Sequence, residues 1–342
     1  MIPRVSLIMP VRNEAQYLRR SLDAVLRQDY LQEQVEILIA DGMSTDGSRE
    51  IIREYQAMVP SISLIDNPGK IAPTGLNQAL VRARGEIIIR VDGHCEIAPD
   101  YVRQCVHHIL KDGVDGVGGA METIGETWVA QAIAHAMSSK FGVGDSTFRT
   151  ASGQTRLVDT VPFPAYTREI IQRAGLYDEE LVRNQDDEYN YRLGDLGAKI
   201  LLAADVHSKY YSRSGLRSLW RQYFQYGYWK VRVLQKHPRQ MRPRQFIPPV
   251  FIASLLISAG MALFTVIGGY GLAAILAAYL FGNLAASVWV TARRGWRYLP
   301  LLPVVYAILH CAYGTGFIWG MVRFSTRWGD KEGKTPLFKT GL

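Results

Sequence analysis

The stretch "EIIIRVDGHCEIAPDY", residues 86–101, joins a run of isoleucines to an abrupt polar turn at Asp92, Gly93 and His94. An apolar run of this length, bounded by polar residues, predicts a buried strand. Three earlier runs have the same character and are separated by segments with helical periodicity: "VSLIMP" (5–10), "VEILIA" (35–40) and "ISLID" (62–66). Buried strands that alternate with helices predict an α/β fold, with a mainly parallel sheet covered on both faces.

Polar clusters follow three of these strands: "PVRNE" (10–14), "DGMSTDGS" (41–48) and "DGH" (92–94). In open parallel sheets, ligands bind at the carboxyl ends of the strands. No "GxGxxG" opens a helix and no "GKS" or "GKT" follows a glycine-rich loop, which argues against a dinucleotide site and a P-loop. Turn chemistry alone would explain Asp and Gly at one strand end. Carboxylates at two strand ends instead predict a binding site.

Length and composition bound the possibilities further. The 342 residues suggest about two structural units, and the three cysteines are too few and too dispersed for a disulfide framework or a zinc site. The net charge is 39 − 31 = +8, and the segment 217–244 contains eight basic and no acidic residues. Such a basic stripe is typical of nucleic-acid binders, but the segment that follows it argues against a nucleic-acid partner.

Two long uncharged segments follow the basic stripe. The first, Phe246 to Ala292, has 47 residues, enough for two membrane spans, and a turn is predicted at Gly268–Gly271. The second runs from Tyr298 to Val322. The predicted organisation is therefore a cytosolic domain (1–212), an interfacial basic segment (213–245), a membrane domain (246–322) and a basic tail (323–342). The candidate spans are 247–267, 271–291 and 299–321.

The orientation follows from the positive-inside rule. The basic stripe should face the cytoplasm and attract anionic lipids, and the start of the chain does not resemble a signal peptide. This predicts a multi-pass protein of the plasma (inner) membrane with its N-terminal domain in the cytoplasm. The third apolar segment has basic residues on both flanks, so the rule contradicts itself there. A full span and a re-entrant or tilted segment both stay open.

Five ordered blocks of this sequence resemble the inverting family-2 glycosyltransferases. They are "VSLIMPVRNEAQYLRRSLDAVLRQ", "EILIADGMSTDGSREII", "NPGKIAPTGLNQAL", "ARGEIIIRVDGH" and "FPAYTREIIQRAGLYDEELVRNQDDEYNYRLGDLGAKI". Within that family the chain is similar to the membrane-associated transferases of succinoglycan biosynthesis, which share the "RQYFQYG" stretch. The resemblance implies a GT-A fold and transfer of a sugar, such as glucose from UDP-glucose, to a polyprenyl-diphosphate-linked saccharide.

The resemblance also implies a nucleotide-binding set. The residues that would contact the base, ribose and diphosphate are Pro10, Arg12, Glu14, Asp41, Lys70 and Asp92. Asp41 would accept a hydrogen bond from uracil. Lys70 would lie near the diphosphate, although a solvated loop lysine explains it equally well.

The resemblance also implies a role for Asp92 and His94. Its members usually carry Asp-x-Asp at this strand end, where a carboxylate binds a divalent metal that bridges the diphosphate. Here His94 stands in the second position, and imidazole suits Mn²⁺ better than Mg²⁺. Ligation of the metal and direct contact with the diphosphate both stay open for His94.

The family's catalytic motif maps onto "NQDDEYNYR", residues 184–192. This alignment makes Asp186 the general base, with Asp187 as the runner-up, and brings Gln185 and Arg192 toward the acceptor or diphosphate. A purely structural alternative is an acidic first turn of a helix, where carboxylates are favoured.

The aromatic and basic stretch 216–238 predicts a helix at the membrane interface, with Arg221 and Gln222 as weaker candidates for the acceptor diphosphate. Two other functions are considered: an enzyme that charges polyprenyl phosphate with one sugar, and an inactive membrane scaffold that binds nucleotide sugars. Gln185 and His94, which depart from the family pattern, favour the scaffold. The four residues Asp41, Asp92, Asp186 and Arg192 argue against it.

Overall fold

The structure is a computed structural model that describes residues 2–144, 153–212, 215–331 and 333–336. These residues fall into two compact units. The first unit comprises the described parts of Met1–Glu122, Ala151–Tyr210 and Gly333–Leu342. The second comprises those of Thr123–Thr150 and Tyr211–Glu332.

A mixed sheet organises the first unit, in the order β3-β2-β1-β4-β8-β6-β9-β5, with β7 paired to β9. Strands β3, β2, β1 and β4 are parallel, as the alternation of strands and helices predicts, while β8 runs antiparallel to both β4 and β6. The strands are β1 Val5–Val11, β2 Val35–Asp41, β3 Ile62–Asp66, β4 Ile87–Arg90, β5 Cys95–Ile97, β6 Gly116–Ile124, β7 Arg156–Leu157, β8 Ala165–Thr167 and β9 Ile200–Tyr211.

Helices cover this sheet and bury apolar faces with a helical period. Helix α1, for example, buries Leu18, Leu22 and Val25. The helices of this unit are α1 Ala15–Leu26, α2 Ser48–Met58, α3 Ala72–Arg82, α4 Tyr101–Asp112, α7 Arg168–Ala174 and α8 Gln185–Asp195. The predicted α/β class is confirmed. Pro73 lies in the first turn of α3, where proline is favoured.

Asn13 precedes α1 in the chain without capping it. The start of α1 has no side-chain cap. Asn13 adopts a left-handed conformation with φ 55°, and its Oδ1 accepts a hydrogen bond from the backbone N–H of Thr45 at 2.9 Å. The side chain joins two loops of the binding edge instead of ending a helix.

The second unit is helical. Its helices are α5 Trp128–Met137, α6 Lys140–Val143, α9 Leu216–Lys236, α10 Ile247–Ala262, α11 Val266–Arg294 and α12 Leu302–Arg323. Three of them are long and apolar enough to cross a membrane: α10 with the turn before it, α11 and α12. The turn between α10 and α11 lies at residues 263–265, so the prediction of a turn at Gly268–Gly271 is wrong. Those glycines lie inside α11, where Thr265 caps the helix by accepting from the N–H of Gly268.

The third apolar segment is one continuous helix, α12, despite its prolines and glycines. Pro303 lies in its first turn, where a proline is tolerated. The glycines Gly316 and Gly320 face the backbone of α9, and a Cβ on Gly320 would lie 2.6 Å from the carbonyl oxygen of Tyr228. Small residues four apart allow two helix backbones to approach closely. These glycines therefore serve helix packing rather than a break in the helix.

Candidate functional site

The polar clusters after β1 and β2 lie side by side at one edge of the sheet. Val11 pairs with Asp41 in the parallel register, so both strands end at the same level. Ser44 Oγ accepts from the N–H of Asn13 at 2.9 Å, and Ser48 Oγ accepts from the N–H of Glu14 at 2.9 Å. Asp46 accepts from the N–H of Ala15 at 3.0 Å. The two loops therefore form one rigid wall of the site.

Asp41 is fully buried at the end of β2. Its Oδ2 accepts from Arg49 at 2.7 Å and from the N–H of Ser44 at 3.0 Å. Its Oδ1 is buried and has no hydrogen-bond partner among the residues that the structure describes. A buried acceptor without a partner is costly, and it suits a ligand that brings a donor such as the N–H of a uracil base.

Arg12 and Lys70 meet through the backbone. The Arg12 guanidinium donates to the carbonyl oxygen of Lys70 at 2.8 Å, and Lys70 adopts a left-handed conformation with φ 60°. Asn67 shapes this loop by donating to the carbonyl oxygen of Ile71 at 2.9 Å. The Lys70 side chain itself is exposed beside the loop. This position leaves it available to a phosphate.

Glu14 contacts His94 across the site, with 3.1 Å between its Oε1 and the ring Nδ1. Gly93 lies against Glu14, and a Cβ on Gly93 would come within 3.3 Å of the Glu14 side chain. A carboxylate acceptor at Nδ1 favours the tautomer in which Nε2 keeps its lone pair. In that tautomer the Nε2 of His94 has a lone pair that could bind a cation.

Arg90, the last residue of β4, forms a bidentate ion pair with Asp92. Its Nε donates at 2.8 Å and its Nη2 at 3.2 Å to the two carboxylate oxygens. Burial disfavours the charge on Arg90, yet the carboxylate of Asp92, followed by Tyr177 and Asp186, raises its pKa above the ordinary value. Burial would raise the pKa of Asp92, but Arg90, together with His94 and Arg183, lowers it.

Sequence reasoning missed Arg90. The available signal was a cation at the end of a run of buried isoleucines, two residues before a site carboxylate, where both side chains lie on the same face of the strand. Arg90 is attracted electrostatically to Asp186, in the first turn of α8, as well as to Asp92. Its charge therefore acts on a predicted donor-binding carboxylate and on the predicted base.

The catalytic motif forms the first turn of α8. Asp186, Asp187 and Glu188 all lie in that turn, where the positive end of the helix favours carboxylates. Asp186 is exposed, and one of its oxygens accepts from the N–H of Asp187 at 3.0 Å. Both predicted base candidates thus occupy one helix start, and Asp186 interacts electrostatically with Arg90.

Arg192 supports α8 from behind. It donates to Glu188 at 2.7 and 3.0 Å and to the carbonyl oxygens of Ala174 and Leu176 at 2.6 and 2.9 Å. These bonds hold the guanidinium in structural contacts, and the expected contact of Arg192 with the acceptor or diphosphate stays a prediction. Gln185 is buried, and within the described part of the chain its Oε1 has no hydrogen-bond partner.

The residues Asp92 and His94 fit a divalent metal in a limited way. Among the described residues, no group of three or more His, Cys, Asp or Glu side chains could hold an ion. A cation would therefore need oxygens from the donor diphosphate or water in addition to Asp92 and His94 Nε2. The Glu14–His94 contact is of the kind that orients metal-binding imidazoles, and in this respect the donor set fits.

A separate groove lies within the second unit. It has a volume of about 560 Å³ and is lined by one face of α9 and by Trp319 of α12. The α9 residues in its wall are Arg217, Trp220, Arg221, Phe224, Gln225, Tyr228 and Trp229. Gln222 is buried elsewhere and donates to Tyr226 Oη at 2.8 Å. Successive residues of a helix point about 100° apart, which is why Arg221 lines the groove and Gln222 does not.

Comparisons with known proteins identify the family of this chain. Residues 6–175 match the family described as glycosyl transferase family 2. The chain is 32% identical to the succinoglycan biosynthesis protein ExoA of Rhizobium meliloti over 330 residues, covering 94% of this chain and 96% of ExoA. It is 25% identical to a dolichyl N-acetyl-α-D-glucosaminyl phosphate 3-β-D-2,3-diacetamido-2,3-dideoxy-β-D-glucuronosyltransferase of Methanococcus voltae, covering 93% of this chain and 97% of that protein.

Two solved structures share the fold. The mannosyltransferase PcManGT of Pyrobaculum calidifontis, in complex with GDP-Man and Mn²⁺, has a TM-score of 0.58 at 20% identity and covers 93% of this chain and 88% of its own. TarS 1–349 of S. aureus, in complex with UDP-GlcNAc, has a TM-score of 0.51 at 17% identity, covering 94% and 92%. The family match, the relationship to ExoA across nearly the whole chain and this shared GT-A fold together establish that the chain belongs to glycosyl transferase family 2.

Proposed function

We propose that this protein is an inverting hexosyltransferase that moves a sugar from a nucleotide-sugar donor, such as UDP-glucose, to a polyprenyl-diphosphate-linked saccharide. One observation carries the proposal. A buried acceptor without a partner on Asp41, the Arg90–Asp92 pair and the exposed carboxylate of Asp186 all belong to the carboxyl edge of one sheet and the helix beside it. Nucleotide recognition, diphosphate binding and proton transfer thus each have a candidate group.

The proposed reaction is a single displacement. Asp186 takes the proton of an acceptor hydroxyl while the hydroxyl oxygen forms a bond to the anomeric carbon. The bond from that carbon to the diphosphate oxygen breaks on the opposite face, so that the configuration inverts and the nucleoside diphosphate leaves. A positioned base of this kind contributes about 10²- to 10⁴-fold in rate.

The donor is held by the two loops and the end of β4. Asp41 accepts from the base, the segment containing Pro10, Arg12 and Glu14 borders the nucleoside, and Lys70 lies near the diphosphate. Asp92 and His94 would hold a divalent ion, Mn²⁺ in preference to Mg²⁺ because of the imidazole. Such an ion, when bound, supplies positive charge to the leaving diphosphate.

The acceptor lipid is assigned to the groove on α9. Arg217 and Arg221 supply cations for phosphate oxygens, and Trp220, Phe224 and Trp319 supply apolar surface for the start of an isoprenoid chain. Helix α9 contains no acidic residue. The helices α10 and α11 are long and apolar enough to cross a membrane. We assign them to the plasma (inner) membrane, with the first unit in the cytoplasm.

Radiolabelled transfer with purified protein in nanodiscs tests the function. A panel of UDP-sugars with Mn²⁺ and a bacterial polyprenyl-diphosphate saccharide should give a product extended by one sugar. Polyprenyl phosphate as the acceptor tests the alternative of a polyprenyl-phosphate sugar synthase. Product formation with that acceptor alone would reassign the enzyme to this second function.

The matched variants Asp186→Asn and Asp187→Asn test the base. Asp186→Asn should lower kcat by about 10²-fold or more, with the dissociation constant for UDP unchanged. Asp187→Asn should retain most activity. UDP-sugar binding without transfer to any acceptor, equal in wild type and both variants, would favour a nucleotide-sugar-binding scaffold.

A further inference from the structure

The last described residues, Gly333–Pro336, belong to the first unit although they follow the apolar helices in sequence. The N–H of Lys334 donates to Asp178 Oδ1 at 2.8 Å, and the carbonyl oxygen of Lys334 accepts from the N–H of Glu179 at 2.9 Å. Asp178 is only 1% exposed. A Cβ on Gly333 would collide with the Asp178 carboxylate, so a larger residue at this position would have to displace that side chain.

The segment that receives Lys334 is the loop between α7 and α8. Asn77 fixes this loop by accepting from the N–H of Tyr177 at 2.8 Å and donating to its carbonyl oxygen at 2.9 Å. Asp178 Oδ1 also accepts from the N–H of Glu180 at 3.0 Å. The Tyr177 ring stacks on Tyr189 of α8, with 4.2 Å between centroids. Contacts with Asp178 therefore bear on the helix that carries Asp186.

The end of α12 lies only a short way along the chain from this contact. Arg232 of α9, fully buried, donates to the carbonyl oxygens of Arg327 and Asp330 at 3.4 and 3.3 Å, and Arg327 also pairs with the Asp330 side chain. The chain is thus folded against α9 as far as Asp330. Three Cα–Cα steps separate Asp330 from Gly333, which span at most about 11 Å.

A full crossing by α12 conflicts with this connection. The chain would enter the membrane in α10 and return to the same side in α11, because the turn between the two helices has only three residues. A third crossing would put Asp330 on the far side, separated from the first unit by a bilayer of about 40 Å. Of the 18-residue apolar window of α12, 44% is buried within the protein, against 11% for each of the other two candidates.

We propose that the chain crosses the membrane only twice, with α12 held on the catalytic side, and that Gly333–Lys334 is a clasp that positions the loop before α8. This arrangement removes the conflict in the positive-inside rule. The basic residues on both flanks of α12, Arg293, Arg294 and Arg297 before it and Arg323 and Arg327 after it, then lie on the same side. The topology is independent of the proposed function, while the positioning role rests on it.

Cysteine labelling tests the topology. In a Cys311→Ala background, Lys331→Cys and, as a catalytic-side reference, Leu110→Cys are probed with a membrane-impermeant maleimide in bacterial spheroplasts and inverted vesicles; both native residues are exposed. We expect both to be labelled in inverted vesicles and protected in spheroplasts. Labelling of Lys331→Cys from the outside would overturn the two-crossing topology, whatever reaction the protein catalyses.

Kinetics of Gly333→Val test the clasp, with Gly329→Val as the matched control because a Cβ there meets nothing within 4 Å. Gly333→Val should lower kcat about 10- to 100-fold through misplacement of Asp186, with the donor KM and the dissociation constant for UDP unchanged. Asp178→Asn, which keeps the acceptor oxygen, should retain more activity than Asp178→Ala. Equal kcat in the two glycine variants, or a parallel loss of UDP binding, would contradict the positioning role.

Discussion

The Arg90 guanidinium donates hydrogen bonds to both carboxylate oxygens of Asp92, at 2.8 and 3.2 Å. Only 13% of the Arg90 side chain and 19% of the Asp92 side chain are exposed. The lowered pKa of Asp92 keeps it ionised through the pH range in which an enzyme operates. A carboxylate expected to serve the donor diphosphate is therefore held in place by a cation two residues earlier in the chain.

Arg90→Met should impair the reaction with the nucleotide-sugar donor. Removing one partner of a buried pair leaves the other charge uncompensated, at a cost of about 3–5 kcal/mol. We expect kcat/KM for the donor to fall at least about 100-fold, with a lower melting temperature. Arg90→Lys, which keeps the charge but not the two-point geometry, should recover part of the activity. Initial rates across donor concentrations measure this, and equal loss in both variants would show that charge at this position is irrelevant.

Asp41→Ala should weaken nucleotide binding. Its buried Oδ1 is the acceptor without a partner that we assign to the base. Loss of a buried hydrogen bond costs about 1–3 kcal/mol, so the dissociation constant for UDP should rise about 5- to 150-fold in titration calorimetry. The control is Asp66→Ala, which removes the other partner of Arg49, 65% exposed. Similar weakening by both changes would assign the effect to Arg49 instead.

His108 should make stability depend on pH. It bridges Asp112 at 2.7 Å and Asp205 at 2.8 Å; burial lowers its pKa, but the two carboxylates outweigh burial and raise it. Because its pKa is higher in the folded state, protonated His108 stabilises the fold. This stabilisation is complete at pH values below the pKa of the unfolded chain, about 6.5, and disappears as the pH rises through the pKa of the folded state.

His108→Gln should therefore lower the melting temperature by about 1–3 °C near pH 5.5, and by much less near pH 9, since exposed pairs contribute little. The control is His107→Gln, which changes an exposed neighbouring histidine. A loss that is larger at high pH would contradict the sign.

Gly320→Ala should loosen the packing of α12 on α9. The added Cβ would lie 2.6 Å from the carbonyl oxygen of Tyr228 and 2.9 Å from Val231, closer than any ordinary contact. Overpacking of this kind costs about 1–3 kcal/mol. Gly269→Ala in α11, where a Cβ meets nothing within 4 Å, is the matched control. Thermal unfolding in detergent should separate the two variants, and equal melting temperatures would argue against close helix contact.

The sequence by itself determined the sheet and the polar residues at the carboxyl ends of its strands. The apolar runs that lead to Asp41 and Asp92 can be recognised from consecutive residues alone. Such a run predicts a buried strand, and the polar residues directly after it predict what lies at the end of that strand. The family blocks added the expected base at Asp186 and the donor set. The apolar length of the last three helices was readable for the same reason.

Tertiary structure alone decided which partner each group has. Arg192 serves Glu188 and two carbonyl oxygens, Glu14 orients His94, and Gln222 is turned away from the groove, since these depend on contacts between residues far apart in sequence or on helix rotation. The same holds for α12 and the tail. Hydropathy describes a segment one residue at a time, whereas the two hydrogen bonds of Lys334 to the loop at Asp178 and Glu179 join positions more than 150 residues apart.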